Sequence, residues 1–250
     1  MTRLGIVTTC YNHARFLPEC LASIDAQTSH EFVHVVVNDA SPDDTDGVLA
    51  YHDDGTTQRI CLLLTKNEGL AGAFHAGVAA LPPSVEWILK VDADDTIDPR
   101  YVAAILRAAD EDPRRNVIFA PCQHFGARHD VWIYPPFEPR LMRKNFYIPG
   151  PAAYKRALWD AVGGYDVTMR SAEDWDFYIR AHEAVGLVPY QIMEPGLYWH
   201  YRMHHGPRAS TEGMRLLPAL QDYWRGHTAE TARAQSRSWG AWCEAAQVAA

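Results

Sequence analysis

Apolar and polar residues alternate along the first half of the chain in short blocks with two different periods. Residues 32–39 (FVHVVVND) form a continuous β-branched run, which is typical of a strand buried on both faces. Residues 16–27 have apolar side chains at helical spacing, and they follow a short β-rich run at residues 4–9. Strands are also predicted at 60–64, 87–91 and 116–121, and helices at 71–81 and 100–110. This alternation predicts a parallel, doubly wound α/β sheet.

The second half of the chain has a less regular pattern. Residues 121–150 are rich in proline and aromatic residues, which indicates a long loop or a loose hairpin. Helices are predicted at 152–162 and 173–185, and strands at 188–193 and 197–202. From residue 212 onwards the pattern is helical, with apolar residues at Leu216, Leu217, Leu220, Tyr223 and Trp224.

Two helix starts have recognisable caps. Ser41 followed by Pro42 predicts a cap and a first turn, with two acidic residues near the positive end of the helix dipole. Asp98 followed by Pro99 predicts a cap for the next such helix by the same logic.

Polar residues follow the carboxyl ends of several predicted strands. They are Asn12, Asp39, Asn67 and the acidic run Asp92–Asp95. Ligands bind beyond the carboxyl ends of the strands in open α/β sheets. We therefore expect these residues to meet at one rim of the sheet.

The acidic run has two interpretations. Carboxylates crowded at the end of a buried strand are costly unless a cation lies among them. Hard oxygen ligands with open positions suit Mg²⁺ or Mn²⁺, which take substrate phosphates as further ligands. For Asp94 and Asp95 we favour this metal site over a solvated acidic turn. For Asp98 we favour the helix cap.

Other polar positions leave alternatives open. Asp39 can accept a hydrogen bond from a nucleobase imide or form a turn with Asn38. Gly69 and Gly72 permit close approach of a ligand to a helix start, but the stretch matches neither a Walker motif nor GxGxxG. They also fit a plain loop.

The helix predicted from Glu173 begins with three acidic residues. Acids in a first helical turn are common because they face the positive end of the dipole. We favour this explanation for Asp176. For Glu173 we give it about the same weight as a role in the site.

Composition narrows the function classes. The chain has 250 residues, a net charge of −8 and five cysteines without a CxxC pair. An acidic chain lacks the basic face of a general nucleic-acid binder, so no nucleic-acid partner is expected. The odd cysteine count and the missing signal peptide predict a cytoplasmic location. No apolar stretch reaches 18 residues, so no transmembrane segment is expected, and peripheral membrane contact stays open.

Six stretches together resemble the family 2 glycosyltransferases with the GT-A fold, in order and at the family's spacing over about residues 4–185. They are GIVTTCYNHARFLPECLASIDAQT, VVVNDASPDDT, NEGLAGAFHAG, ILKVDADDTIDP, AVGGYD and RSAEDWDFYIRA. The resemblance implies a Rossmann-like GT-A fold with a central, mostly parallel mixed sheet flanked by helices. An irregular acceptor-side half and a helical tail would follow.

The resemblance also implies residue roles. The nucleotide pocket would be lined by Thr8, Tyr11, Asn12, Asp39, Asn67, Gly72 and Asp94. Asp39 would read the base, usually uracil or a related pyrimidine. Asp95 would be the principal metal ligand beside Asp94, with Asp92 supporting the turn. Asp174 would be the catalytic base, with Glu173 beside it.

The match has one departure and a weaker end. The family often carries two acids at the end of the second strand, whereas Asn38 stands in the first position here. Base reading would therefore rest on Asp39 alone. The match fades after about residue 186, where YWHYRMHHGPRAS resembles a family segment close to the diphosphate. Arg202 and His204, together with Gly150, are further candidates for diphosphate or acceptor contacts.

The implied reaction is sugar transfer from a nucleoside-diphosphate sugar, UDP-sugar favoured, to an unknown hydroxyl acceptor with inversion. Mn²⁺ or Mg²⁺ would stabilise the leaving diphosphate. One base is sufficient, so a second carboxylate nucleophile is not sought. The alternatives are a sugar-phosphate nucleotidyltransferase, whose usual glycine- and lysine-rich loop is missing after residue 9, and a non-catalytic nucleotide-sugar-binding module.

The predicted organisation has three parts. Residues 1–121 are the nucleotide-sugar-binding half, residues 122–211 the acceptor-binding and catalytic half of the same domain, and residues 212–250 a helical tail. The tail is predicted to close the core, to form a homo-oligomer or to cover an acceptor. The aromatic residues Trp132, Tyr134, Phe137 and Tyr147 are candidates for stacking on a sugar or for loop packing.

Overall fold

The computed structural model describes residues 2–52, 59–144, 147–169, 171–204 and 224. The strands are β1 (Leu4–Cys10), β2 (Phe32–Asn38), β3 (Arg59–Leu63), β4 (Trp87–Lys90), β5 (Thr96–Ile97), β6 (Val117–Phe119), β7 (Cys122–Gly126), β8 (Val131–Trp132), β9 (Ala153–Lys155), β10 (Pro189–Gln191) and β11 (Trp199–Met203). The helices are α1 (Leu17–Asp25), α2 (Thr45–His52), α3 (Gly69–Ala80), α4 (Tyr101–Glu111), α5 (Arg156–Val162) and α6 (Glu173–Val185), with a 3₁₀ turn at Pro139–Leu141.

A seven-stranded central sheet has the order β10-β6-β9-β4-β1-β2-β3. The pairs β1–β2, β2–β3, β1–β4 and β6–β10 are parallel, and only β9 runs antiparallel to its neighbours β4 and β6. β1 and β2 are buried almost throughout, as their continuous apolar runs predict. The predicted α/β class and the mostly parallel mixed sheet are confirmed.

A smaller sheet has the order β5-β11-β7-β8. β7 and β8 form an antiparallel hairpin, so the first part of residues 121–150 is a hairpin, and the proline-rich part after Trp132 is a loop with one 3₁₀ turn in its described residues. β11 pairs with β7 over five residues and with β5 beside the acidic run. This sheet therefore attaches the end of the described chain to the turn after β4.

Two predicted helices need correction. Residues 153–155, predicted as the start of a helix, form β9, because the slot between β4 and β6 satisfies their backbone groups on both sides. The helix after β2 begins at Thr45 and not at Ser41. The Ser41 hydroxyl instead accepts from the Asn12 amide at 3.1 Å and donates to the Cys10 carbonyl at 3.3 Å.

Asp98 is not the N-cap of α4, because Arg100 occupies that position two residues later. Its carboxylate accepts from the Arg100 amide at 2.9 Å, and α4 begins at Tyr101. The predicted tail helix lies outside the described residues except for Trp224, which is buried. Within the described ranges, no helix is both long enough and apolar enough to cross a bilayer.

Candidate active site

The predicted polar residues meet at the carboxyl rim of the central sheet. The side-chain amide of Asn67 donates to the backbone carbonyl of Asp39 at 3.2 Å. The Asp39 carboxylate accepts from the backbone amide of Glu68 at 2.7 Å. The end of β2 is thereby fastened to the start of α3. Asp39 is buried, and burial raises the pKa of its carboxyl against the opposing effect of the Glu68 and Gly69 amides.

The loop after β1 forms the neighbouring part of the rim. Asn12 has a φ of 58°, in the left-handed region, which turns the chain sharply after the strand. Tyr11 beside it is exposed. Gly72 lies in the first turns of α3, where an added Cβ would come within 2.8 Å of the Glu68 Cβ. The loop after β1 and the start of α3 follow β1 and β3, so these three residues lie beyond the carboxyl ends of sheet strands.

Thr8 differs from the other predicted pocket residues. It is fully buried, and its hydroxyl lies 3.0 Å from Nε2 of the buried His34. The Thr8 side chain is therefore part of the core beside β2. Thr8 is not included in the proposed nucleotide pocket.

The acidic run after β4 divides into three carboxylates with different partners. Both oxygens of Asp92 accept from Nζ of Lys90, at 2.5 and 2.7 Å. Asp94 Oδ2 lies 2.6 Å from Nε2 of His204. Asp95 Oδ1 accepts from the Arg202 amide at 2.9 Å, and no described group bonds to its Oδ2.

Asp95 is the most costly of these acids. It is 1% exposed, and burial followed by the charges of Asp94 and Asp92 raises the pKa of its carboxyl well above the ordinary value. A buried carboxylate oxygen without a donor is an acceptor ready for a cation. Together with the Asp94 carboxylate, this donor set fits a hard divalent ion.

The described residues contain no group of three or more His, Cys, Asp or Glu side chains arranged to hold a metal. Mg²⁺-type ions are commonly bound by one or two carboxylates, with water and substrate phosphates completing the shell. Asp94 and Asp95 therefore fit an ion whose remaining ligands come with the substrate.

Arg202 and His204 both lie against the acidic run. The Arg202 guanidinium donates to the Asp94 carbonyl at 2.9 Å and to Glu19, and it lies between the Phe16 and Phe125 rings. Its side chain is therefore committed to holding the turn. The His204 ring packs on Phe16 at 4.9 Å, which brings it to Asp94.

The second acidic cluster lies at the start of α6. Ala172 precedes the helix with a φ of 61°, and Oδ1 of Asp174 accepts from the Trp175 amide at 2.7 Å. Burial and the neighbouring Asp174 raise the pKa of Glu173 to about 7, against the opposing charge of Lys90. Burial also raises the pKa of Asp174, and Lys90 opposes that shift too.

Lys90 and Gly150 join the two clusters. A Cβ added at Gly150 would lie 3.0 Å from Oδ2 of Asp174 and 3.7 Å from Nζ of Lys90. Both polar atoms therefore border the same small space. The predictions from sequence missed Lys90, although a lone lysine in the apolar run WILKV was the available signal.

The third acid of α6 has a different role from its neighbours. Asp176 is buried, accepts from Arg180 Nε at 2.6 Å and accepts from the Trp224 indole at 3.1 Å. Asp176 thus ties α6 to a residue of the C-terminal segment. Its position in the first turn is explained by this pairing as well as by the helix dipole.

The family match covers the part of the chain that contains both acidic clusters. The sequence model described as Glycosyl transferase family 2 matches residues 5–174. An uncharacterized glycosyltransferase of Haemophilus influenzae is 27% identical over 91% of this chain and 78% of its own length. A PGL/p-HBAD biosynthesis glycosyltransferase of Mycobacterium bovis is 25% identical over 74% and 71%.

Two solved structures share the fold. S. aureus TarS 1–349 in complex with UDP-GlcNAc has a TM-score of 0.69 at 19% identity, over 87% of this chain and 66% of that one. The mannosyltransferase PcManGT from Pyrobaculum calidifontis, in complex with GDP-Man and Mn²⁺, has a TM-score of 0.63 at 19% identity, over 98% and 73%. These likenesses confirm the expected GT-A fold. Since the family match also spans more than half of its length, the chain belongs to glycosyltransferase family 2 and is a glycosyltransferase.

Proposed function

We propose that this glycosyltransferase moves a sugar from a nucleoside-diphosphate sugar to a hydroxyl acceptor with inversion at the anomeric carbon, and that UDP-sugars are its donors. The observation that carries the proposal is the meeting of two acidic clusters at one rim, with Lys90 bonded to the first and facing the second. One cluster suits a metal-bound diphosphate and the other a base. The nucleotide-sugar complexes of the two structural neighbours support the donor class.

The nucleotide is assigned to the rim formed by the ends of β1 and β2. Tyr11, Asn12, Asn67 and Gly72 border it, and Asp39 would accept a hydrogen bond from the base. The raised pKa of Asp39 reflects a carboxyl held out of water. A base N–H would give such a carboxylate a donor in place of the lost water.

Asp95 and Asp94 would hold Mn²⁺ or Mg²⁺, with His204 next to Asp94. When bound, the ion neutralises the charge that develops on the leaving diphosphate without any proton transfer. Arg202 and Asp92 support the turn that carries both ligands.

Asp174 would be the base. Its carboxylate takes the proton of the acceptor hydroxyl while the acceptor oxygen bonds to the anomeric carbon and the bond from that carbon to the phosphate oxygen breaks. Attack opposite the leaving group gives inversion. Glu173 lies beside Asp174. Its raised pKa would let it stay protonated while Asp174 is ionised.

The test starts with thermal-shift and calorimetric screening of UDP- and GDP-sugars with and without Mn²⁺. Release of nucleoside diphosphate, with water or an added acceptor, then gives kcat for the best donor. Asp174→Asn should retain donor affinity while kcat falls about 10²-fold or more. Asp160→Asn, on the exposed side of α5, is the matched control.

Near-normal turnover of Asp174→Asn would refute the base assignment. Proton NMR of the sugar product reads the anomeric configuration, and retention would refute inversion. Pyrophosphate release from a sugar phosphate and nucleoside triphosphate would instead indicate a nucleotidyltransferase. Binding without turnover for all acceptors tried would indicate a binding module.

A further inference from the structure

Lys90 is a buried cation at the end of a core strand. It is the last residue of β4, and its side chain is 4% exposed. β4 lies between β1 and β9 in the central sheet, and Lys90 pairs with Val7 of β1. A buried ammonium group persists only when it is paired, because its desolvation costs several kcal/mol.

The first partner of Lys90 is Asp92, but one carboxylate does not account for its surroundings. Burial alone would lower the pKa of Lys90, yet Asp92, Glu173 and Asp174 together outweigh burial and raise it. Nζ also borders the same space as Oδ2 of Asp174, beside Gly150. One ammonium group therefore serves carboxylates from two parts of the fold.

A carboxylate base must be ionised and must point at the acceptor. Burial and the charge of Asp92 raise the pKa of Asp174, and Lys90, together with the Trp175 amide, opposes that rise. At reduced dielectric, a cation a few ångströms away has a large effect on which form of the carboxyl is populated. Lys90 stays protonated throughout and exchanges no proton in the reaction.

We propose that Lys90 is a positioning residue of the transfer reaction: its ammonium group holds the carboxylate of Asp174 charged and directed at the acceptor hydroxyl, and its bond to Asp92 fixes that base relative to the metal-binding turn. The inference rests on the proposed function, because it takes Asp174 as the base. The competing explanation is that Lys90 only neutralises Asp92 and holds the turn.

The test separates the two explanations in a background where Asp92 is already neutral. Removing Lys90 alone would leave the half-buried Asp92 without its cation, so the comparison is between Asp92→Asn and Lys90→Met/Asp92→Asn. We expect the double variant to have a kcat about 10²-fold below that of Asp92→Asn, with the dissociation constant for UDP and Mn²⁺ within threefold. Lys155→Met, on the adjacent strand β9, is the matched control, since Lys155 contacts the Pro113 carbonyl at the surface.

Chemical rescue gives a readout that a structural role would not move. Methylammonium added to Lys90→Ala/Asp92→Asn should raise kcat at least about fivefold, because a small cation fits the vacated space. The same amine should not raise kcat of Asp174→Asn. If the double variant has the same kcat as Asp92→Asn, the proposal is overturned. It is also overturned if kcat and donor affinity fall by the same factor and methylammonium does not restore kcat.

If circular dichroism shows the double variant to be unfolded, Lys90→Arg and Lys90→Gln replace it. Arginine keeps the charge, so the kcat of Lys90→Arg should exceed that of Lys90→Gln by about tenfold. A ratio of the two kcat values near one overturns the proposal. Asp174→Asn is assayed in parallel. Normal turnover of that variant refutes the base itself, whereas a defective Asp174→Asn with an unaffected Lys90 series refutes only the role of Lys90.

Discussion

The acidic turn after β4 and the acidic start of α6 have similar composition but opposite electrostatic arrangements. In the turn, Asp95 is buried with one carboxylate oxygen that no described group satisfies. At the start of α6, the Glu173–Asp174 pair faces the ammonium group of Lys90. In the turn, Lys90 pairs with Asp92 and leaves the buried oxygen of Asp95 unsatisfied, whereas at the start of α6 the same ammonium group is the charge that opposes the raised pKa of both acids.

This difference suggests separate tasks. A carboxylate that lacks an internal counter-charge is suited to binding an external cation. A carboxylate with a fixed counter-charge keeps its geometry and charge through a reaction and is suited to accepting a proton. Two carboxylate pairs can thus act differently even though one lysine, Lys90, bonds to the turn and borders the same space as Asp174.

The strongest test of the contrast is Asp95→Asn. Asparagine keeps the acceptor for the Arg202 amide but loses the charge, so Mn²⁺-dependent binding of UDP should weaken about 100-fold. Calorimetry with and without Mn²⁺ measures this. Asp98→Asn, in the same segment but bonded to Arg100, is the control, and equal affinities for Asp95→Asn and the native chain would remove the metal assignment.

The α6 pair should produce a pH dependence of stability. The pKa of Glu173 is raised from 4.5 to about 7, so the folded state binds a proton that the unfolded state has released between these values. The contribution of Glu173 to the free energy of unfolding should therefore be fully present below about pH 4.5 and should fall by about 3 kcal/mol as pH rises to about 7.

Denaturant unfolding of Glu173→Gln at several pH values checks this. The variant should lose most of the slope in that window, and Glu31→Gln, at an exposed position, should keep it. An unchanged slope in Glu173→Gln would show that Glu173 is not the group held neutral.

The third acid of α6 extends the comparison, because its counter-charge and hydrogen bonds are complete. Trp224→Phe removes the indole donor to buried Asp176 and should lower the free energy of unfolding by about 1.5 kcal/mol. Trp132→Phe, at a side chain that is 50% exposed, should change it by less than about 0.5 kcal/mol. Equal effects of the two variants would mean that the Asp176 contact contributes nothing.

The smallest expected effect is that of Gly150→Ala. A methyl group there would stand beside Asp174 and Lys90, in the space where the acceptor hydroxyl is expected. We expect kcat/KM for the acceptor to fall about fivefold, with donor affinity unchanged, because the hydroxyl is displaced from the base. A matching loss of donor affinity would place this space on the donor side instead.

Much of the fold follows from local sequence patterns. The β-branched runs and helical stripes of the first half correspond to β1–β4 and α1–α4, and the rim residues meet because parallel strands end at the same edge. Residues 152–162 have helical spacing, so the sequence does not predict β9. Residues 153–155 are a strand because they pair with β4 on one side and β6 on the other. Tertiary pairing outweighs local preference there.

The site was predicted in its parts but not in its connections. Acids at strand ends and at a helix start can be found one at a time. The approach of the start of α6 to Lys90 depends on where a segment 83 residues further along the chain packs. The same holds for Trp224, which reaches Asp176 across 48 residues.

The position of β9 also has a consequence for how the chain tolerates change. β6 and β9 are antiparallel neighbours, so residues 120–152 leave the central sheet and return to it at almost the same place. The entropy cost of closing such a loop rises only slowly with its length. Within this excursion, β7 is held in place by its pairing with β11 and by the contact of Phe125 with Arg202. The turn between β7 and β8 is exposed at residues 127–129, so insertions there should leave the strands on either side in register.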